Sequence, residues 1–199
     1  MPILPAEPDL YPSDLWQGLI AEDRPSEDDR QWWCLHTKPR QEKATARDLR
    51  VWKVPYYLPQ VVREERRPQG RKTRSVVPLF TSYLFLRGDQ NDRLQSLKSN
   101  RLVRVIEVTD QTRLNRDLRQ IHQMLASGLA VVPEPQVPVG ARIRILSGPL
   151  TGIEGRVIRR GKRDQFVAVV QFLGSGATVD LEDWQVEQID GEENGEGAR

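Results

Sequence analysis

At 199 residues, 38% of them apolar, the chain has room for one ordinary domain or two small ones, with modest cores. No apolar run approaches the roughly 20 residues of a membrane span, and a single cysteine, Cys34, beside two histidines excludes a disulfide framework and a cysteine-built zinc cluster. A net charge of +2 conceals acidic ends around a body of 28 bases and 12 acids, a surface suited to polyanions or acidic protein faces.

Residues 1–29 are rich in Pro, Asp and Glu and show no sustained periodicity, so they read as disordered, and no secretory signal is visible in them. Pattern begins at Gln31. Trp32–Thr37 (WWCLHT) is aromatic and β-prone, which predicts a buried strand ended by Pro39. Arg40–Lys53 places Ala44, Ala46, Leu49 and Trp52 among basic and polar residues, the pattern of an amphipathic helix with a basic outer face.

Tyr56–Val62 is the next predicted strand, broken by Pro59, and Arg63–Ser75 reads as a charged hairpin tip turned by Pro68 and Gly70. Val76–Val77 and Ser82–Arg87 follow as strands. Asn91–Asn100 is a short predicted helix capped by Asn91 or Asp92. Leu102–Val108 alternates as a strand, and Arg113–Ser127 has helical spacing closed by Gly128. The order predicts an α+β domain over residues 30–127, an antiparallel sheet with flanking helices.

Three prolines between Pro133 and Pro138 mark residues 128–138 as a stiff linker. Residues 139–190 are short β-rich runs separated by turns, the texture of a small all-β SH3-like barrel, and residues 191–199 form a disordered tail. Ser147–Val157 (SGPLTGIEGRV) carries Gly148 and Pro149 at a tight turn and Gly155 where the next strand starts against another backbone.

That segment, preceded by VGARIRIL, resembles a KOW motif. Trp32–Arg40 (WWCLHTKPR), the helix from Glu42, and Pro78–Leu86 (PLFTSYLFL) followed by a short helix and LVRVIEV resemble the N-terminal domain of the NusG family. Order and spacing over Gln31–Ile189 are similar to a NusG-family transcription elongation factor, either a general one or a specialised paralogue resembling RfaH.

Composition, with no secretory signal and few metal-ligating or nucleophilic residues, leads us to expect a cytoplasmic monomer without catalytic residues, metal or cofactor. The resemblance implies action in transcription elongation, termination or antitermination. Its N-terminal domain would bind the clamp helices of RNA polymerase and hold the clamp closed, suppressing pauses. The family's docking patch falls on His36, Tyr83 and Phe85. The RfaH-type contact with the opposite polymerase lobe uses a His-Thr-Thr triplet; this chain departs from it with Leu94, Gln95 and Ser96, of which Gln95 and Ser96 are the candidates for that contact. Lys38, Arg40, Arg101 and Arg104 are candidates for non-template DNA or RNA. The KOW domain would recruit a partner, the termination factor Rho or a small-subunit ribosomal protein, through a loop at Phe172, Leu173 and Gly174.

A KOW-type RNA-binding protein of the ribosome or its assembly is the alternative, against which the first domain argues. An enzyme is the third reading. Cys34 and His36 share a strand face, but no orienting carboxylate or oxyanion motif accompanies them.

Overall fold

The computed structural model describes residues 7–18, 29–66, 72–134, 140–160, 163–180 and 186–189. The N-terminal half is built on a five-stranded antiparallel sheet of β1 (Leu10–Tyr11), β2 (Gln31–Thr37), β3 (Tyr56–Tyr57), β6 (Tyr83–Gly88) and β7 (Leu102–Glu107), in the order β1-β3-β6-β2-β7. Its interior strand β2 is apolar on both faces because both are covered. On one face Trp33, Leu35, Leu84 and Leu86 pack with Ala46 and Leu49 of α2 (Glu42–Val51). On the other, Trp32, Cys34, Tyr57 and Phe85 pack with Leu114, Leu118, Ile121 and Met124 of α4 (Gln111–Ala126). Strand alternation thus divides the run WWCLHT between two cores.

Local chemistry fixes the connections. The buried Glu42 carboxylate accepts the Ser82 N–H at 2.7 Å, holding the left-handed turn (φ 66°) that starts β6. α3 (Gln90–Leu97) opens on Asp89, which accepts the Asp92 N–H at 2.8 Å while Asp92 accepts the Asp89 N–H at 3.2 Å. This reciprocal capping box satisfies donors that the first helical turn leaves unpaired. A separate hairpin joins β4 (Gln60–Arg66) and β5 (Lys72–Pro78).

The C-terminal half is a six-stranded antiparallel β domain. It contains β8 (Val132–Glu134), β9 (Ala141–Ile145), β10 (Glu154–Arg160), β11 (Arg163–Val170), β12 (Ser175–Asp180) and β13 (Val186–Gln188), in the order β13-β9-β10-β11-β12-β8. A 3-10 turn, Gln171–Leu173, leads from β11 to β12 through Gly174 in the left-handed region. At Gly155 a Cβ would lie 2.3 Å from the Val167 carbonyl oxygen, so only glycine permits the β10–β11 approach expected there. The α+β domain followed by an all-β domain is the architecture expected from the sequence.

Several local expectations change. Residues 7–18 are not disordered: β1 pairs with β3, and the short helix α1 (Leu15–Gly18) buries Leu15 and Trp16. The Glu7 carboxylate, itself buried, pairs with Arg47 at 3.2 Å and Arg50 at 3.0 Å. Residues 1–6, 19–28 and 190–199 lie outside the described residues. The hairpin predicted over Arg63–Ser75 has longer paired arms than expected, because β4 and β5 pair as far as Arg66 and Lys72, and its turn at Pro68 and Gly70 lies outside the described residues. Pro59 separates β3 from β4 rather than interrupting one strand. The α3 cap is Asp89, not Asn91 or Asp92. The proline-rich connection contains β8, which pairs with β12.

The two halves share one core. The cluster holding Trp32, Phe85, Leu118 and Met124 continues into Ile143, Ile145, Leu150, Phe166 and Val170 of the β domain. Polar contacts cross the same seam: the Gln171 N–H donates to Asp117 Oδ2 at 3.0 Å, and the Glu154 N–H donates to Gln120 Oε1 at 2.6 Å.

Candidate functional site

Register places three candidate residues in one row across the N-terminal sheet. His36 on β2 lies opposite Tyr83 on β6 and opposite Arg104 on β7. The His36 and Tyr83 rings stack with centroids 5.0 Å apart and planes inclined by 20°. Both are half-buried, Arg104 is exposed, and His36 Nδ1 has no hydrogen-bond partner among the described residues. The chain therefore presents an imidazole, a phenol and a guanidinium side by side, an arrangement suited to a partner with both apolar and acidic groups.

The next row inward is Phe85, Cys34 and Ile106. Phe85 is fully buried and meets Phe80 edge-on at 6.1 Å. It supports the Tyr83–His36 row from within the core instead of standing at the surface beside Tyr83. Burial also pushes the Cys34 thiol up to about 12, with Arg104 opposing weakly. Cys34 is accordingly a packed apolar side chain rather than a nucleophile.

Lys38 and Arg101 meet where β2 ends and β7 begins, and Arg104 lies opposite His36. The Lys38 N–H donates to the Arg101 carbonyl at 2.8 Å, and Lys38 Nζ donates to the Asn100 carbonyl at 2.7 Å. Arg101 is committed inside the protein, with Nε on Asp48 at 2.8 Å and Nη1 on Gln41 Oε1 at 2.8 Å. Lys38, Arg40 and Arg104 remain exposed, Arg40 on a left-handed backbone turn (φ 62°). Of these, Arg104 belongs to the Tyr83–His36 row, and Lys38 follows His36 by two residues.

On α3, Gln95 is half-buried, whereas Ser96 is fully buried and donates to the Arg93 carbonyl at 2.6 Å. Ser96 thus stabilises the helix; Leu94 and Leu97 are its exposed apolar residues. In the β domain, Gly148 adopts φ 90° beside the exposed Pro149, and Gly155 sits between β9 and β11. Phe172 is 36% exposed, while Leu173 packs inward against the shared core. The Phe172–Gly174 loop therefore offers one aromatic side chain outward.

Sequence reasoning missed Trp16, Asp117 and Gln120. Trp16 packs on Trp32, Tyr57 and His122 with centroids 5.3–5.7 Å away. In this aromatic nest burial holds the Tyr57 hydroxyl well above its ordinary pKa and lowers that of His122. Asp117 and Gln120 stand at helical spacing but only topology brings the β domain onto them. Among the described residues no group of acids, histidines and cysteine is arranged to hold a metal ion, and no helix is long and apolar enough to cross a membrane.

No curated protein sequence matches the chain. A solved structure described as showing domain interaction in Thermotoga maritima NusG is similar at 18% identity, covering 81% of this chain and 98% of that one, with a TM-score of 0.45. The family model for transcription termination factor NusG matches residues 30–136, more than half of the 199. This chain belongs to the NusG family, non-enzymatic factors of transcription elongation and termination.

Proposed function

We propose that the N-terminal domain binds RNA polymerase through the Tyr83–His36–Arg104 row, and that the bound factor holds the polymerase clamp closed and suppresses pausing. The observation that carries this reading is the half-exposed Tyr83–His36 stack on the side of the sheet that also bears Phe85. An aromatic anchor flanked by cations suits the mixed apolar and acidic face of a polymerase helix pair. A factor that binds the closed clamp better than the open one shifts that equilibrium by its differential binding free energy. Lys38, Arg40 and Arg104 would lie toward the displaced non-template strand, and Phe172 would anchor a partner recruited by the β domain. That partner is Rho or a small-subunit ribosomal protein, and the factor acts as a cytoplasmic monomer.

The test is a binding titration of the full chain against a stalled RNA polymerase elongation complex, with free ribosomal subunits as competitor. His36→Ala/Tyr83→Ala is expected to weaken polymerase binding by at least about 30-fold, as loss of an interface hot spot does. Arg104→Ala should weaken it less and reduce its salt dependence. Tight binding to ribosomal subunits without polymerase binding would transfer the assignment to an RNA-binding protein of the ribosome.

A further inference from the structure

The seam between α4 and the β domain holds a carboxyl, Asp117, that takes no part in the proposed polymerase contact. Asp117 and Gln120 stand three residues apart on one flank of α4. Both accept backbone N–H groups of the β domain, Gln171 on the 3-10 turn and Glu154 on β10. Asp117 is only 6% exposed, and the β-domain stretch nearest it, Phe166–Phe172 (FVAVVQF), is uncharged. We propose that this seam is a proton-coupled latch between the two domains, tighter when the Asp117 carboxyl is neutral and looser when it is ionised.

The surroundings of Asp117 give the direction. Burial is the dominant influence and lifts its carboxyl from 3.8 to about 6, against the Gln171 N–H and the positive charges of Arg113 and Arg116; Asp110 adds slightly. Among the described residues no charged group of the β domain contributes, and Glu154 on β10 is engaged by Arg144 at 2.7 Å. His122, the other titrating group of α4, faces Trp16 and Tyr57. When the domains part, Asp117 returns to water beside Arg113 and Arg116 and recovers an ordinary carboxyl value. A group whose value is raised in the closed state favours closure at low pH. That contribution is complete below about pH 4 and is lost as pH rises through about 6. From pH 7.5 to pH 5 the closure constant is expected to rise about tenfold. Opening releases the Gln171–Leu173 turn and this flank of α4 together, whichever partner then takes them.

The test is NMR on the full chain. Between pH 5 and 8, the Asp117 carboxyl should titrate with a midpoint near 6. Amide-exchange protection at Gln171 and Glu154, corrected for the intrinsic pH dependence of exchange, should rise together about tenfold from pH 7.5 to 5. Asp117→Asn keeps an acceptor oxygen without a titrating proton, so protection there should be high and independent of pH. Gln120→Ala should lower protection at every pH and keep the tenfold response. An Asp117 midpoint near 4 overturns the proposal. So does a pH response that persists in Asp117→Asn, or one that disappears in His122→Gln.

Discussion

Cys34 is fully buried between Phe85 and Ile106 on the neighbouring strands. Desolvation raises its thiol to about 12, so at pH 8 only about one molecule in ten thousand carries a thiolate. Labelling of the native chain with a thiol-reactive disulfide at pH 8 should therefore be negligible and become stoichiometric in urea. Complete labelling of the native chain within minutes would refute the packing given for this strand. The neutral thiol is the form that the fold favours. Its stabilising contribution is therefore present below the ordinary thiol value and falls as pH rises from there toward 12. His36, two residues along on the same strand face, meets Tyr83 instead of the thiol, and this separates the pair that the sequence places together.

The N-terminal element shows what was legible in the sequence and what was not. Long periodic elements such as β2, α2 and α4 were readable because their apolar spacing records the two faces that they bury. β1 and α1 have only two and four residues, too few for a period, and lie in a proline- and acid-rich stretch. Their order comes from distant partners. The Leu58 N–H donates to the Asp9 carbonyl at 2.6 Å, Glu7 pairs with two arginines of α2, and Trp16 fills the space against Trp32, Tyr57 and His122. Likewise His36 and Tyr83 were legible as a strand pair by resemblance, but Arg104 joins them only through the β2–β7 register. Trp16→Ala should lower stability by about 3 kcal/mol, the low end for deleting a buried aromatic side chain. Urea unfolding followed by circular dichroism measures this; a change below about 0.5 kcal/mol would mean that the segment does not belong to the core.

At the scale of the whole molecule, ion pairing by the N-terminal stretch and the shared core act on opposite faces of the N-terminal sheet. The basic body is partly neutralised from within, since Glu7 of the acidic N-terminal stretch already pairs with Arg47 and Arg50. The core is continuous from Trp32 through Met124 to Phe166, so separating the domains exposes apolar surface on both. Cooperativity follows from that continuity, because neither half can unfold without stripping cover from the other. Below pH 6, where Asp117 is neutral, the chain should melt in one calorimetric transition. Gln171→Pro isolates the seam: position 171 is the first residue of the 3-10 turn, where proline is tolerated, and Val170 before it is already extended. The substitution removes the N–H that Asp117 accepts while leaving the β domain's own ladder intact. It should lower the temperature of that transition by about 2–4 °C, with the secondary structure at 20 °C unchanged. A single transition in Gln171→Pro at the wild-type temperature would show that apolar contact alone couples the domains. Two transitions in the wild-type chain below pH 6 would show that the continuous core does not behave as one cooperative unit.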